Sequence, residues 1–337
     1  MDAAVIWHED YALHDTGDHP EGPDRVDAVV EHLRGGDLWP RLVAVRPAPA
    51  TEDDVLLVHA RTHLNIVKRA AQKGGQWLDG DTYVSPRSYD VALLSAGGAI
   101  EATRLWERGL VPFALIRPPG HHAMPDRAMG FCLFDNIAIA AARLLAQGYE
   151  RVAIVDWDVH HGNGTQAAFN REPRVLFVSM HLWPHYPGTG SVGECGEGEA
   201  AGTVVNIPLP AGCTDGDYLF AFDVLVEPIV RQFAPQAILV SAGGDIHEVD
   251  PLGGMDVTEA GFAGMGLRCL RLAQELCEGR LAFILEGGYD RPATARAVEA
   301  VLRAVLDEAA PEPGPGTQKG AAAIERARQT QAAHWDV

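Results

Sequence analysis

The chain has 337 residues, 47 % apolar and 22 % charged, an ordinary soluble composition with ample material for a core. Its 46 acidic against 27 basic side chains give a formal charge of −19, which argues against nucleic acid as a partner and leaves basic peptides or polyamines compatible. No apolar run approaches the roughly 18 residues that span a bilayer, no basic leader opens the chain, and the five cysteines form no Cys-x-x-Cys pair, so a reduced, cytoplasmic protein without a membrane partner is expected.

In chain order, short apolar runs rich in branched residues occur at 3–7, 42–45, 113–116, 151–155, 175–179, 204–207, 237–241 and 281–285. Most lack strict alternation, as strands buried on both faces of a parallel sheet do. Helical periodicity separates many of them, at 88–108, 137–147, 217–233, 258–277 and 293–309. Thr214 or Asp215 is placed to cap the third helix and Thr258 or a neighbour the fourth, while Pro228 should kink the third. The alternation implies an α/β fold class, a single doubly wound domain over 1–310. Composition shifts only at Pro311-Glu-Pro-Gly-Pro-Gly316, so 311–337 reads as a linker and a helical tail. The tail is expected to dock on its own domain or on a second subunit of a homo-oligomer, or to fray.

Polar residues collect where these strands end. Arg117-Pro-Pro-Gly-His121-His122 follows the run at 113, Asp156-Trp-Asp158-Val-His160-His-Gly162 the run at 151, and His181 the run at 175. Asp245 and Glu286-Gly-Gly-Tyr289 follow the last two runs. In open parallel sheets the active crevice lies outside the carboxyl ends of the strands, so this edge reads as a site.

Asp158 and His160 stand two apart, on the same side of an extended strand end, and one oxygen with one nitrogen ligand suits a divalent ion such as zinc. A catalytic metal needs a third ligand, for which Asp245 is the best candidate. The adjacent imidazoles of His121 and His122 titrate in the range needed for a base and an acid beside such an ion. Asp156 can orient one of them, or pair instead with a backbone amide or a bound cation. Tyr289, after two glycines that allow close approach to ligand, is placed to donate to an oxyanion. Phe131 and Tyr186 either wall a narrow apolar slot or pack as ordinary aromatics.

The segments Arg117-Pro-Pro-Gly-His-His-Ala123, Gly130-Phe-Cys132, Asp156-Trp-Asp-Val-His-His-Gly-Asn163, Pro187-Gly-Thr-Gly190, Ser241-Ala-Gly-Gly-Asp245, Asp250-Pro-Leu-Gly253 and Leu285-Glu-Gly-Gly-Tyr289 resemble the zinc-dependent histone deacetylase family, most closely its bacterial class II-like amidohydrolases. The resemblance spans nearly the whole domain, from His19-Pro-Glu21 to Tyr289. It implies the arginase–deacetylase fold with a central eight-stranded parallel sheet, and Zn2+, or Fe2+ in its place, on Asp158, His160 and Asp245. It implies His122 as general base and then acid, His121 paired to Asp156, and Tyr289 on the oxyanion. Phe131 and Tyr186 would sheathe an acyl-lysine stem, Gly130 would approach it through the backbone, and Asp81 would clamp the substrate peptide at the rim. A structural K+ would use Asp156, Ser179 and carbonyls of Asp158, His160 and Met180.

Three departures qualify the resemblance. Asn163 stands where one branch carries Asp, so His122 should be less basic. Gly244, Ile246 and His247 differ from the commoner pattern and are expected to leave the pocket wall more open. Leu252 occupies the place of a glutamate that acetylpolyamine deacetylases use to read a cationic chain, which favours an acyl-lysine peptide or protein over a small acylated amine as substrate. An arginase-like dimanganese site lacks the bridging carboxylates it would need, and the intact His pair and Tyr289 oppose a catalytically silent zinc module.

Overall fold

Every apolar run named above contributes to one parallel sheet in the computed structural model, which describes residues 2–337. The strands are β1 (Asp2–Ile6), β2 (Leu42–Val45), β3 (Gln76–Trp77), β4 (Tyr83–Val84), β5 (Leu110–Ala114), β6 (Val152–Asp156), β7 (Val175–Leu182), β8 (Val204–Leu209), β9 (Ala237–Ala242) and β10 (Leu281–Leu285). Eight of them lie in the order β2-β1-β5-β10-β9-β6-β7-β8, and β3 with β4 forms a small antiparallel hairpin apart. The six strands from β5 to β10, and most of β1, are buried. That is why their sequences are largely apolar without strict alternation, with Asp156, Ser179 and Ser241 falling in the carboxyl-terminal halves of β6, β7 and β9.

The helices are α1 (Arg25–Gly35), α2 (Glu52–Val55), α3 (Arg61–Gln72), α4 (Ser88–Leu105), α5 (Asn136–Ala146), α6 (Asn163–Phe169), α7 (Asp215–Ala221), α8 (Glu227–Phe233), α9 (Glu259–Leu276), α10 (Arg291–Asp307) and α11 (Gln318–Gln331). One group packs α1 on α10 and α10 on α9; another packs α4 on α5. Thr258 caps α9 by accepting from the Ala260 amide, and Asp217 accepts from the Thr214 amide at the start of α7. The helix expected over 217–233 is divided as Pro228 demands. A π-helical turn at Phe222–Val226 absorbs the lost hydrogen bond and leaves Pro228 in the first turn of α8.

The register sets the site. Asp156 at the end of β6 pairs with Ser179 of β7 on one side and Ser241 of β9 on the other. The loops after β5, β6, β9 and β10 therefore emerge at one edge, side by side. At the far edge, α11 lies along β8, with Gln331 Nε2 donating to the Val204 carbonyl and Trp335 Nε1 to the Gly202 carbonyl at 2.8 Å. The tail docks on its own domain. It covers an edge strand that would otherwise present open backbone groups. Among the described residues no helix is long and apolar enough to cross a membrane, and all five cysteines are free.

Candidate active site

Beyond β6 the chain runs Trp157–Gly162 as an irregular loop rather than continuing the strand. Trp157 is fully buried and anchors it, while Asp158 and His160 turn to the same side. Asp245, three residues past the end of β9, meets them: one ligand atom from each of the three lies within 4.8 Å of the others. His160 Nδ1 is 3.0 Å from Asp158 Oδ1 and 3.2 Å from Asp245 Oδ2. Asp158 Oδ2 also accepts from the Gly287 amide at 2.8 Å, and Asp245 Oδ1 from the Val159 amide at 2.9 Å. Asp245 Oδ2, fully buried, has no hydrogen-bond donor in good geometry among the described residues.

The electrostatics of this cradle call for a cation. Burial opposes charge on His160, yet the carboxylates of Asp158 and Asp245 on either side raise it to about 10. Burial and the charge of Asp158 push Asp245 up to about 7. Two buried carboxylates around one nitrogen, with an orphaned oxygen between them, fit a divalent ion better than a proton. The donor set is oxygen, nitrogen and oxygen, as zinc or ferrous iron accepts.

His121 and His122 sit beside the cradle, their ring centroids 4.1 Å apart, yet their environments are opposite. His121 Nδ1 is 3.0 Å from Asp156 Oδ2, which settles which imidazole that carboxylate orients. Burial disfavours the charged ring, but Asp158 and Asp156 outweigh it and hold His121 well above the usual range. His122 Nδ1 donates instead to the neutral Asn163 Oδ1 at 2.7 Å. Burial, then the charges of His121 and His160, hold His122 well below the usual range. The carboxylates favour the charged form of His121, while His122, its Nδ1 bound to Asn163, turns Nε2 to the cavity.

Tyr289 follows two glycines that the geometry requires. A β-carbon at Gly287 would collide with the carboxylates of Asp245 and Asp158, and Gly288 has φ +121°. The Tyr289 amide donates to Asp250 Oδ2 at 2.6 Å. Burial, then Asp245 and Asp158, push its hydroxyl well above the usual tyrosine range, so at neutral pH it remains a donor. Phe131 (φ +68°) and Gly130 (φ +57°) are both left-handed, and the Phe131 amide is held by Thr82 Oγ1 at 3.0 Å. Their loop packs directly on His122, leaving no room for a β-carbon at Gly130.

A cavity of about 360 Å³ is lined by His122, Gly130, Phe131, His160, Tyr186, Leu252, Asp81 and Tyr289, all expected at the site, by Pro251 and Gly253, seen only as parts of a motif, and by His185. Phe131 stands edge-on to Tyr289 with centroids 5.8 Å apart, and Tyr186 edge-on to His122 at 5.1 Å. His185 stacks on the His160 ring at 5.0 Å and points Nε2 at the Leu252 carbonyl. Its neighbours Pro187 and Gly188 marked a loop, but nothing in the spacing marked the ring itself as wall.

The expected opening of the wall at Gly244, Ile246 and His247 is not found, since none of them lines this cavity. The chain turns away behind Asp245. Gly244 packs on Thr294, Ile246 is buried, and His247 stacks on Phe262 at 6.2 Å. The space beside Gly244 is an apolar gap of about 10 Å³ under Trp157 and Phe262, too small for a side chain.

Beneath Tyr289 lies a group of buried charges that sequence reasoning passed over. Arg25 donates to the carbonyls of Glu286 and Gly288, and its guanidinium lies 5.7 Å from the Tyr289 ring centre. Arg117 Nε reaches Glu21 at 2.7 Å. Glu21 and Arg117 were visible only as parts of longer motifs, and Arg25 carried no signal, because burial of a charge depends on long-range packing.

The chain is similar to known proteins over most of its length. Residues 19–305 match the histone deacetylase domain family. A probable deacetylase of Archaeoglobus fulgidus is 44 % identical over 294 residues, 86 % of this chain and 82 % of its own length. The chloroplastic histone deacetylase 10 of Oryza sativa subsp. japonica is 39 % identical over 328 residues, 91 % of this chain and 74 % of that one. The crystal structure of the HDA15 HD domain superposes with a TM-score of 0.92 at 36 % identity, covering 99 % of this chain and 95 % of the other. With its eight-stranded sheet and the family match over most of its length, the chain belongs to the histone deacetylase family, hydrolases that remove acetyl groups.

Proposed function

We propose that this protein is a zinc-dependent amidohydrolase that removes acetyl or related acyl groups from N-acylated amines, foremost the side chains of acyl-lysine. One observation carries the reading: Asp158, His160 and Asp245 form a buried cation cradle, and the cavity beside it is walled by His122 and Tyr289. Zinc held there, or ferrous iron, would supply Lewis acidity, polarising an acyl oxygen and making water a better nucleophile.

The protein's own groups do the rest. His122, kept neutral first by its burial, takes the proton of the attacking water at Nε2 and returns it to the leaving nitrogen. His121 stays charged beside Asp156 and stabilises negative charge as it develops. The Tyr289 hydroxyl donates to the oxyanion. Phe131 and Tyr186 exclude water from an extended acyl-lysine stem, Gly130 lies against it through its backbone, and Asp81 at the rim receives the peptide amides. A potassium ion on Asp156, Ser179 and the carbonyls of Asp158, His160 and Met180 would brace the loop; the side-by-side register of Asp156 and Ser179 supports this. Free cysteines, four of them buried, support a reducing, cytoplasmic setting.

Acetylated polyamine is the second substrate reading. The acidic Asp81 at the cavity favours a cationic chain, and the apolar Leu252 in the wall opposes it. The deciding experiment is a panel of acyl-lysine peptides and acetylated polyamines turned over by the zinc-loaded enzyme. Faster turnover of the peptides supports the first reading; exclusive turnover of polyamines replaces it with the second.

A further inference from the structure

Glu286 is fully buried and has no place in the proton transfers above. Its side chain reaches from the end of β10 to the loop that follows β5 and to the end of β9. Oε2 accepts from the Gly120 amide at 2.7 Å and the His121 amide at 3.1 Å, and Oε1 pairs with Ser241 Oγ of β9 at 3.0 Å. The next residue faces the other half of the site: the Gly287 amide donates to Asp158 Oδ2 at 2.8 Å. The Glu286 carbonyl is itself held by Arg25 at 2.8 Å. Two consecutive residues thus grip the histidine turn with a side chain and the metal cradle with an amide.

We propose that Glu286 is a positioning residue that fixes the His121–His122 turn at a set distance from the Asp158 cradle through its hydrogen bonds to the Gly120 and His121 amides. This rests on the reading of His122 as the proton-transfer base. A misplacement of about 1 Å at such a base can cost about 10²-fold in rate, while substrate binding in the cavity need not change. Burial pushes the carboxyl up to about 7, against the charge of His121. Either protonation state can accept from the two amides, so the role lies in the hydrogen bonds rather than in the charge.

The test uses the metal-loaded enzyme and an acetyl-lysine peptide. Glu286→Gln can keep all three bonds: its oxygen accepts from both amides and its NH2 donates to Ser241. It should hold kcat within about threefold of the parent. Glu286→Met, of similar length but without an acceptor, should lower kcat by about 10²-fold, with KM and metal affinity by chelator competition each within about threefold. Parent-like kcat in Glu286→Met, a Gln variant as slow as the Met variant, or loss of metal with it would each overturn the proposal. If Glu286→Met does not fold, Glu286→Asp, one methylene too short to reach the two amides, should lower kcat by about tenfold at unchanged KM; unchanged kcat would overturn it. His122→Ala is run in parallel, because a parent-like rate there defeats the catalytic reading itself rather than the role of Glu286.

Discussion

Asn163 Oδ1 accepts from His122 Nδ1 at 2.7 Å, whereas Asp156 holds His121 at 3.0 Å. Two adjacent imidazoles thereby differ: burial, which no facing carboxylate offsets, holds His122 well below the usual range, while Asp158 and Asp156 hold His121 well above it. This contrast yields a pH prediction. A base held well below the usual histidine range stays neutral through neutral pH and is lost only in acid. Asn163→Asp would place a negative charge beside the ring, favour its protonated form and raise its pKa. The acid limb of the kcat/KM profile should therefore move to higher pH, with slower turnover at pH 6 than the parent. A limb that stays in place would remove His122 from the titration.

Tyr289 remains protonated and lines the cavity beside Phe131. Tyr289→Phe removes one donor and little volume. Turnover should fall by about 10²- to 10³-fold while bound metal, counted by elemental analysis, is retained. Unchanged turnover would take Tyr289 out of the reaction.

Asp245 Oδ2 is an orphaned oxygen in the cradle, and its carboxyl is one of three groups there. Asp245→Ala should abolish both metal binding and activity, because two remaining ligands cannot hold a catalytic ion. Full metal occupancy in that variant would refute the ligand set. A hydroxamate, which chelates through two oxygens, should inhibit the parent.

α11 buries Ala323, Ile324 and Ala327 at 2 % exposure or less. Ile324 alone is worth about 2 kcal/mol of burial. Removal of 312–337 should lower the melting temperature by about 4 °C or more and promote association through the bared edge of β8. Calorimetry with light scattering checks both effects. An unaltered melt would mean that the contacts of Trp335 and Gln331 add nothing.

Chemistry was legible wherever the motif itself carried the geometry. Asp158 and His160 are close because they are two residues apart at a strand end, and Gly287 precedes Tyr289 because nothing larger fits against Asp158 and Asp245. The helix α3 was legible too, since its buried positions His63, Leu64, Val67, Ala70 and Ala71 fall at the three-and-four spacing of an amphipathic helix, but it lies outside the strand-helix alternation that the reading followed. Gly244, Ile246 and His247 misled because their difference from relatives was visible while the direction of the chain behind Asp245 was not.

By itself the sequence determined eight strands, most of them buried, their alternation with helices, and the side-chain types gathered at the strand ends, since apolar runs and spacing are local properties of the chain. Only the tertiary structure decided that His185 walls the cavity, that Arg25 is buried beneath Tyr289, and that Glu286 at the end of β10 joins β9 to the histidine turn after β5. Those outcomes depend on strand order. β10 lies between β5 and β9, and sequence distance holds no record of which ends become neighbours.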